Sequence, residues 1–285
     1  MLYRASALIK IGVQAVDRGA GIIKDLYFDD RAWKIRYCVV DTGSWLSGRQ
    51  VLISPEALTA LDAEAGAFQS KLTEEQIKNS PGADTEKTVS RQYEEYLSSY
   101  YGWSPYWSTP QAVSSFPGIY TYPPYPAGIS RTLDLLSSAT PKSPSEEGQS
   151  YPGQAEESHL RSFLEVKSYG LRALDGDLGH VEDLLIDAAD WSVTHVIVDT
   201  RTWWPGGEVV VDRGMIQAIN WEDRVMMVAM VRDEVKEAPP YSRDLSLSES
   251  FQTKVSQYYQ DLSARRHSVA AQTRGWSSQG ESPRY

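Results

Sequence analysis

The stretch Gly21 to Ile53, GIIKDLYFDDRAWKIRYCVVDTGSWLSGRQVLI, recurs as Gly179 to Val211, GHVEDLLIDAADWSVTHVIVDTRTWWPGGEVVV, without a gap and at an offset of 158 residues. Gly21 matches Gly179, Asp25 matches Asp183, Asp29 matches Asp187 and Trp33 matches Trp191; Asp41-Thr42, Trp45 and Gly48 match Asp199-Thr200, Trp203 and Gly206. Shared composition does not place so many identities at one spacing, so the chain carries two copies of one structural unit. The register extends upstream, with Gly12 against Gly170 and Asp17 against Asp175. Downstream, Ile77-Lys78 faces Val235-Lys236 and Pro81 faces Pro239.

Within each copy the apolar pattern has the period of strands. Ile22 to Asp29 and Trp33 to Asp41 read as two strands, and in the second Ile35, Tyr37 and Val39 alternate with Arg36, Cys38 and Val40. Its copy sets Val193, His195 and Ile197 against Thr194, Val196 and Val198. Short alternating segments bounded by Gly and Asp turns favour antiparallel strands over strands separated by helices. Arg49 to Ile53 and Glu208 to Val211 supply a third strand. Ser54-Pro55-Glu56 starts a short helical turn, and Ala67 to Leu72 and Val225 to Val231 supply a last strand. A small closed barrel is expected, because closure leaves short strands no exposed edge.

The copies do not stop where the strands stop. Val89, Tyr93, Leu97, Tyr100 and Tyr101 match Leu247, Phe251, Val255, Tyr258 and Tyr259 and line one side of a helix in both. The expected fold is therefore mainly β: two small antiparallel β-barrels, residues 1–101 and 160–262, each followed by a helical arm. Residues 102–159 read as an aromatic and proline-rich strap with a flexible linker, and 263–285 as a flexible tail. Homologous surfaces permit intramolecular pairing of the repeats as a pseudo-dimer, or a homodimer of chains.

The spacing Gly21-x3-Asp25-x3-Asp29, then Trp33-x-Ile35-x-Tyr37-x-Val39-Val40-Asp41, resembles the PRC-barrel family, as does its copy from Gly179 to Asp199. That family includes the cytoplasmic domain of the photosynthetic reaction-centre H subunit and the barrel of the ribosome-maturation factor RimM. The exit Leu72-Thr73-x2-Gln76-Ile77-Lys78-x-Ser80-Pro81 and the tyrosine-rich arm ending YYGW fit the same likeness. The resemblance covers about two-thirds of the chain and implies a β-barrel used as an adaptor or assembly module. It also implies, as an alternative, a component of a photosynthetic complex; apart from the resemblance, the repeated carboxylates leave a small-ligand or cation binder as a further alternative, ahead of an unrecognised enzyme.

Composition narrows the classes. A formal net charge of -10 argues against nonspecific binding to a phosphate backbone, and Lys24, Lys34, Arg36 and Arg49 are not spaced as a continuous positive face. The single cysteine, Cys38, forms no intramolecular disulfide. No apolar run approaches the roughly 18–20 residues that cross a bilayer, and a cytoplasmic location is expected. No catalytic motif, cofactor motif or metal-ligand spacing stands out. Asp25, Asp29, Asp183 and Asp187 are read first as turn residues, with a weak ligand role as the alternative. His180 and His195 have too few companions for zinc. Trp33 and Trp191 are expected in the core. The expected protein interface is made of Trp45 and Trp203 on loops and Tyr93, Tyr100, Phe251 and Tyr258 on the arms.

Overall fold

The structure is a computed structural model. It describes residues 1–17, 19–43, 48–62, 65–80, 91–103, 105–106, 159–205, 207–241 and 247–277, and of 19–20, 60, 91–93 and 267–277 the backbone alone. The chain divides into two compact units, Met1–Ser104 with Ser158–Tyr285, and Pro105–Glu157. Both repeats belong to the first. The expected strap and linker lie almost wholly outside the described residues.

Repeat 1 consists of β1 (Leu2–Arg4), α1 (Ala5–Leu8), β2 (Gly12–Gln14), β3 (Gly19–Asp29), β4 (Lys34–Asp41), β5 (Gln50–Ile53), β6 (Leu58–Asp62), β7 (Ala67–Ser70), α2 (Glu74–Lys78) and α3 (Arg91–Tyr101). Repeat 2 consists of β8 (Leu160–Ser162), α4 (Phe163–Val166), β9 (Gly170–Ala173), β10 (Gly176–Asp187), β11 (Val193–Asp199), β12 (Glu208–Asp212), β13 (Ile216–Asn220), β14 (Val225–Val228), α5 (Arg232–Glu237), β15 (Pro240–Tyr241) and α6 (Glu249–Ser277). The elements β1, α1, β6 and β7 correspond residue for residue to β8, α4, β13 and β14. The duplication therefore includes β1 and α1, well upstream of the legible motif. α6 also runs past the expected start of a flexible tail, through Ala264, Arg265, Ala270, Ala271 and Gln272, which are strong helix formers.

The protein is mainly β, with two multi-stranded sheets. One follows the order β5-β4-β3-β2-β7-β6, and the other β13-β14-β9-β10-β11-β12-β15. Neither hydrogen-bonded path closes on itself, in contrast to the expected closed barrels. A one-turn 3-10 helix, Pro55–Ala57 or Arg213–Met215, bends the chain after β5 or β12 and carries it to a hairpin at the far end of the sheet. Ser54 and Asp212 cap these turns by accepting from the amides of Glu56 and Gly214. The sheets are also not wholly antiparallel. β2 runs parallel to β7, and β9 to β14, because each closing hairpin delivers its second strand in the direction of β2 or β9.

The first strand of each repeat pairs with the sheet of the other. β1 lies antiparallel on β10, with Leu2 opposite Asp187 and Arg4 opposite Leu185, while β8 lies on β3, with Leu160 opposite Asp29 and Ser162 opposite Tyr27. The reason is visible in strand lengths. β3 has 11 residues, but β2 covers only its beginning, as far as Ile22. The open edge from Tyr27 to Asp29 would present unpaired backbone groups, and the exchanged strand fills it. The single turns α1 and α4 that follow bury Ala5, Leu8, Phe163 and Val166 completely.

A second reciprocal contact joins the β3–β4 and β10–β11 turns. The Ile35 amide donates to the Trp191 carbonyl at 2.9 Å and the Val193 amide to the Trp33 carbonyl at 2.7 Å, bracketing Lys34 opposite Ser192. Both tryptophans hold left-handed backbone angles, φ 52° at Trp33 and 61° at Trp191, which turn these carbonyls toward the other repeat. Such a conformation costs a non-glycine residue on the order of 1–2 kcal/mol. Burying an indole removes roughly 150–250 Å² from water, worth about 4–6 kcal/mol, so packing dominates. Trp33 sits against Phe28 with ring centroids 5.7 Å apart, and Trp191 against Phe68 at 5.6 Å. The core expectation holds for Trp33, and Trp191 packs half-buried against the same cluster. Trp33→Ala should destabilise the protein by about 3–5 kcal/mol in urea titration, and Trp33→Gly by about 1 kcal/mol less, because glycine is not strained at this φ. A glycine variant less stable than the alanine variant would show that the left-handed turn does not hold this contact.

Candidate functional site

The repeated carboxylates are used between repeats. Irregularities in the β3–β4 and β10–β11 ladders fall at Ile23/Asp25 and Val181/Asp183, and such a bulge re-aims the side chain that follows it. Asp183, fully buried, accepts from the Ser6 amide at 3.0 Å, from the Ser6 hydroxyl and from Arg4 Nε at 2.8 Å. Asp25 accepts from the Leu164 amide at 3.2 Å and from the Ser162 hydroxyl. Leu164 and Ser162 are the counterparts of Ser6 and Arg4. Each carboxylate also accepts from the amide that follows it, Leu184 or Leu26. Burial pushes the Asp25 carboxyl above its ordinary range, against the lowering effect of Ser162, Leu26 and Leu164.

Asp29 and Asp187 serve separate turns. Asp29 accepts from the Arg31 and Ala32 amides and pairs with Arg36 at 3.1 Å, and Asp187 accepts from the Ala189 amide. Four-residue spacing suggests that Asp25 and Asp29 share a strand face. The register agrees: no residue of β3 is skipped between them, because the second irregularity, at Tyr27/Phe28, leaves its extra residue, Arg36, on β4. The four aspartates do not converge, and among the described residues no group of three or more His, Cys, Asp or Glu side chains could hold a metal ion.

The Gly and Asp-Thr matches shape one loop. A Cβ at Gly21 or Gly179 would lie 2.2 Å or 1.9 Å from the carbonyl oxygen of Asp41 or Asp199, so only glycine permits the approach. Thr42 closes its loop by donating both its hydroxyl and its amide to the Arg49 carbonyl, and Thr200 does the same to Gly207. Trp45 lies outside the described residues. Trp203, its copy, is half-buried and held within its own repeat: its indole N–H donates to the Leu178 carbonyl, and Arg232 and Lys236 lie over its ring at 5.2 and 5.6 Å. These contacts fix Trp203 as a loop anchor, which sequence spacing alone does not distinguish from an exposed contact.

The arms separate into packed and exposed residues. Phe251, Val255, Tyr259 and Leu262 are buried, and the Tyr259 hydroxyl donates to the Val210 carbonyl at 2.7 Å. Phe251 is thus a core residue rather than an available interface residue. Leu97 of α3 is buried with Tyr27, Tyr37, Val39, Leu52 and Leu160. The Tyr100 hydroxyl donates to the Gln76 carbonyl at 2.9 Å, and Tyr258, its copy, donates likewise to Glu234. These two tyrosines staple each arm to α2 or α5. Tyr100 nevertheless exposes 36% of its surface and Tyr96, one turn earlier, 60%. Tyr101 stacks on Trp103 beside them, with centroids 4.2 Å apart. Tyr93 belongs to α3, but its side chain lies outside the described residues. Tyr96 lacks an aromatic counterpart, since Lys254 occupies its place in α6. Reading only positions shared by both copies passes over it.

The remaining chemical candidates are enclosed or already engaged. Cys38 is fully buried and its thiol is pushed up to about 12 by burial. His195 is mostly buried, with Nδ1 2.9 Å from the Thr194 hydroxyl and Nε2 3.7 Å from Asp212. Burial holds its imidazole below the ordinary range; Arg213 adds to this and Asp212 opposes it. A cavity of about 160 Å³ lies between Asp30 and Trp33 on one side and Ile216, Ile219 and Trp221 on the other. Its carboxylate is engaged by His159 at 3.2 Å and Arg161 at 3.0 Å. Lys24, Arg36 and Arg49, considered as a basic face, turn to Asp41, Asp29 and the carbonyls of Lys78 and Ser80. No helix among the described residues is long and apolar enough to cross a membrane. No model of a known protein family matches the chain, and no curated protein matches it either.

Two stability measurements follow. Asp183→Asn leaves the Arg4 guanidinium without its counter-charge and should cost about 3 kcal/mol in urea titration. Asp25→Asn should cost less than about 1.5 kcal/mol, since only neutral donors face it. Equal losses would show that Arg4 does not depend on Asp183. For His195, the unfolded chain binds the proton more readily than the folded protein. Stability should therefore fall as pH drops below about 6.5, and His195→Gln should flatten that slope between pH 7.5 and 5.5.

Proposed function

We propose that this chain is a tandem PRC-barrel-type scaffold, its two repeats joined as an intramolecular pseudo-dimer, acting as a noncatalytic interaction module for a protein partner. The observation that carries the reading is the exposed aromatic face of α3, where Tyr96 and Tyr100 project one helical turn apart beside the Tyr101–Trp103 stack. Tyrosines suit a protein interface because they bury a large rigid surface while keeping a polar tip. The equivalent positions of α6 carry Lys254 and the half-buried Tyr258, so recognition is assigned to the first arm alone. The engaged state of Asp25, Asp29, Asp183 and Asp187 weighs against a cation-binding role for them.

Photo-crosslinking in the source cells tests this reading. A photoreactive residue at Tyr96 should give a discrete crosslinked product that an identical label at the exposed Gln257 does not. Absence of any product at position 96, or the same products at both positions, would contradict it.

A further inference from the structure

The two copies share a backbone arrangement at their junction but differ in the side chains placed there. The Asp30 amide donates to the His159 carbonyl at 2.9 Å, and at the equivalent place the Ala188 amide donates to Met1 at 2.9 Å. Around the first bond Asp30 pairs with His159 and Arg161, and Arg161 stacks over Trp221 at 4.1 Å. Around the second, the counterparts of Asp30 and Arg161 are Ala188 and Tyr3. At the centre, Lys34 faces Ser192.

These differences determine which pairings are satisfactory. Two first repeats would set Lys34 against Lys34 and leave Asp30 beside Tyr3. Two second repeats would leave Arg161, 18% exposed, beside Ala188. Only a first repeat with a second repeat matches every charge, which is selection by exclusion of the like pairs. The contacts that join the repeats, strand on strand, carboxylate on amide and turn on turn, are all made between described residues of the repeats themselves.

We propose that a second copy of this chain is a binding partner through exchange of repeats, the first repeat of each copy pairing with the second repeat of the other. Asp30, Arg161 and the Lys34–Ser192 contact determine this pairing. The in-chain partner acts at an effective concentration on the order of millimolar, so the fraction of chains in the exchanged dimer grows in proportion to total protein below that level. Repeats must open before they exchange, as in other domain-swapped assemblies.

Full-length Lys34→Cys and Ser192→Cys variants test this directly, because positions 34 and 192 are opposed only across the junction. The variants are mixed, taken through the urea midpoint, returned to buffer at high concentration and oxidised. The expected result is a disulfide-linked dimer in the mixture, its share of the chains rising about tenfold after a tenfold rise in protein concentration. Neither variant alone should form it, and the parent chain retains only the buried Cys38. A mixture without dimer, where the double variant closes its disulfide within one chain, overturns the exchange. Equal dimer from Lys34→Cys alone overturns the pairing rule. Co-purification of two differently tagged parent chains after the same cycle supplies a readout that needs no disulfide, and its failure overturns the proposal as well.

Discussion

The backbone pairing between repeats is the constraint on which the rest of the structure depends. β3 and β10 are longer than the strands that follow or precede them within their own repeat, and each leaves an edge that only the other repeat's first strand covers. Unpaired amides and carbonyls on a half-buried edge are costly. The sheet of one repeat is therefore completed by the other, and neither is finished alone. Asp25 and Asp183 fasten the arrangement by accepting from the first-turn amides of the exchanged helical turns, and the left-handed tryptophans supply the second point of contact.

This explains why the repeated residues are the ones that recur. Gly21 and Gly179 admit a carbonyl that no side chain would tolerate, and Thr42 and Thr200 close the loops beside them. Tyr100 and Tyr258 tie the arms to the preceding helices. The shared set is the set that builds and joins the units. Residues found in one copy alone are where the two halves differ: Asp30 and Arg161 form an ion pair at the junction that the second junction lacks, and Tyr96 gives the first arm an exposed aromatic residue that the second lacks.

Much of the fold was legible in sequence because period-two alternation and Gly, Asp and Pro turns act locally. Strands β3, β4, β5 and β7, their copies and both arms fall where the pattern places them. Three features were not legible. β1 and β8 are three residues each, too short to show a period, and their partners lie in the other repeat. The bulges before Asp25 and Asp183 change the face of every residue after them without altering composition. Parallel pairing of β2 with β7 follows from the path of a distant hairpin. At the candidate site, an aromatic residue beside a turn or on a helix gives no sign of its exposure: Phe251 is buried, Trp203 is half-buried with its indole N–H on the Leu178 carbonyl, and Tyr96, which has no aromatic copy, is exposed.

Native-state hydrogen exchange of the Ile35 and Val193 amides tests the mutual completion of the repeats most directly, because each donates across the junction. Both amides should exchange only through a shared opening, with equal protection free energies that fall together with the same denaturant slope. If one amide exchanged through a separate opening, at a markedly lower free energy and with the other still protected, the repeats would be independent and the reciprocal pairing would not be what holds them.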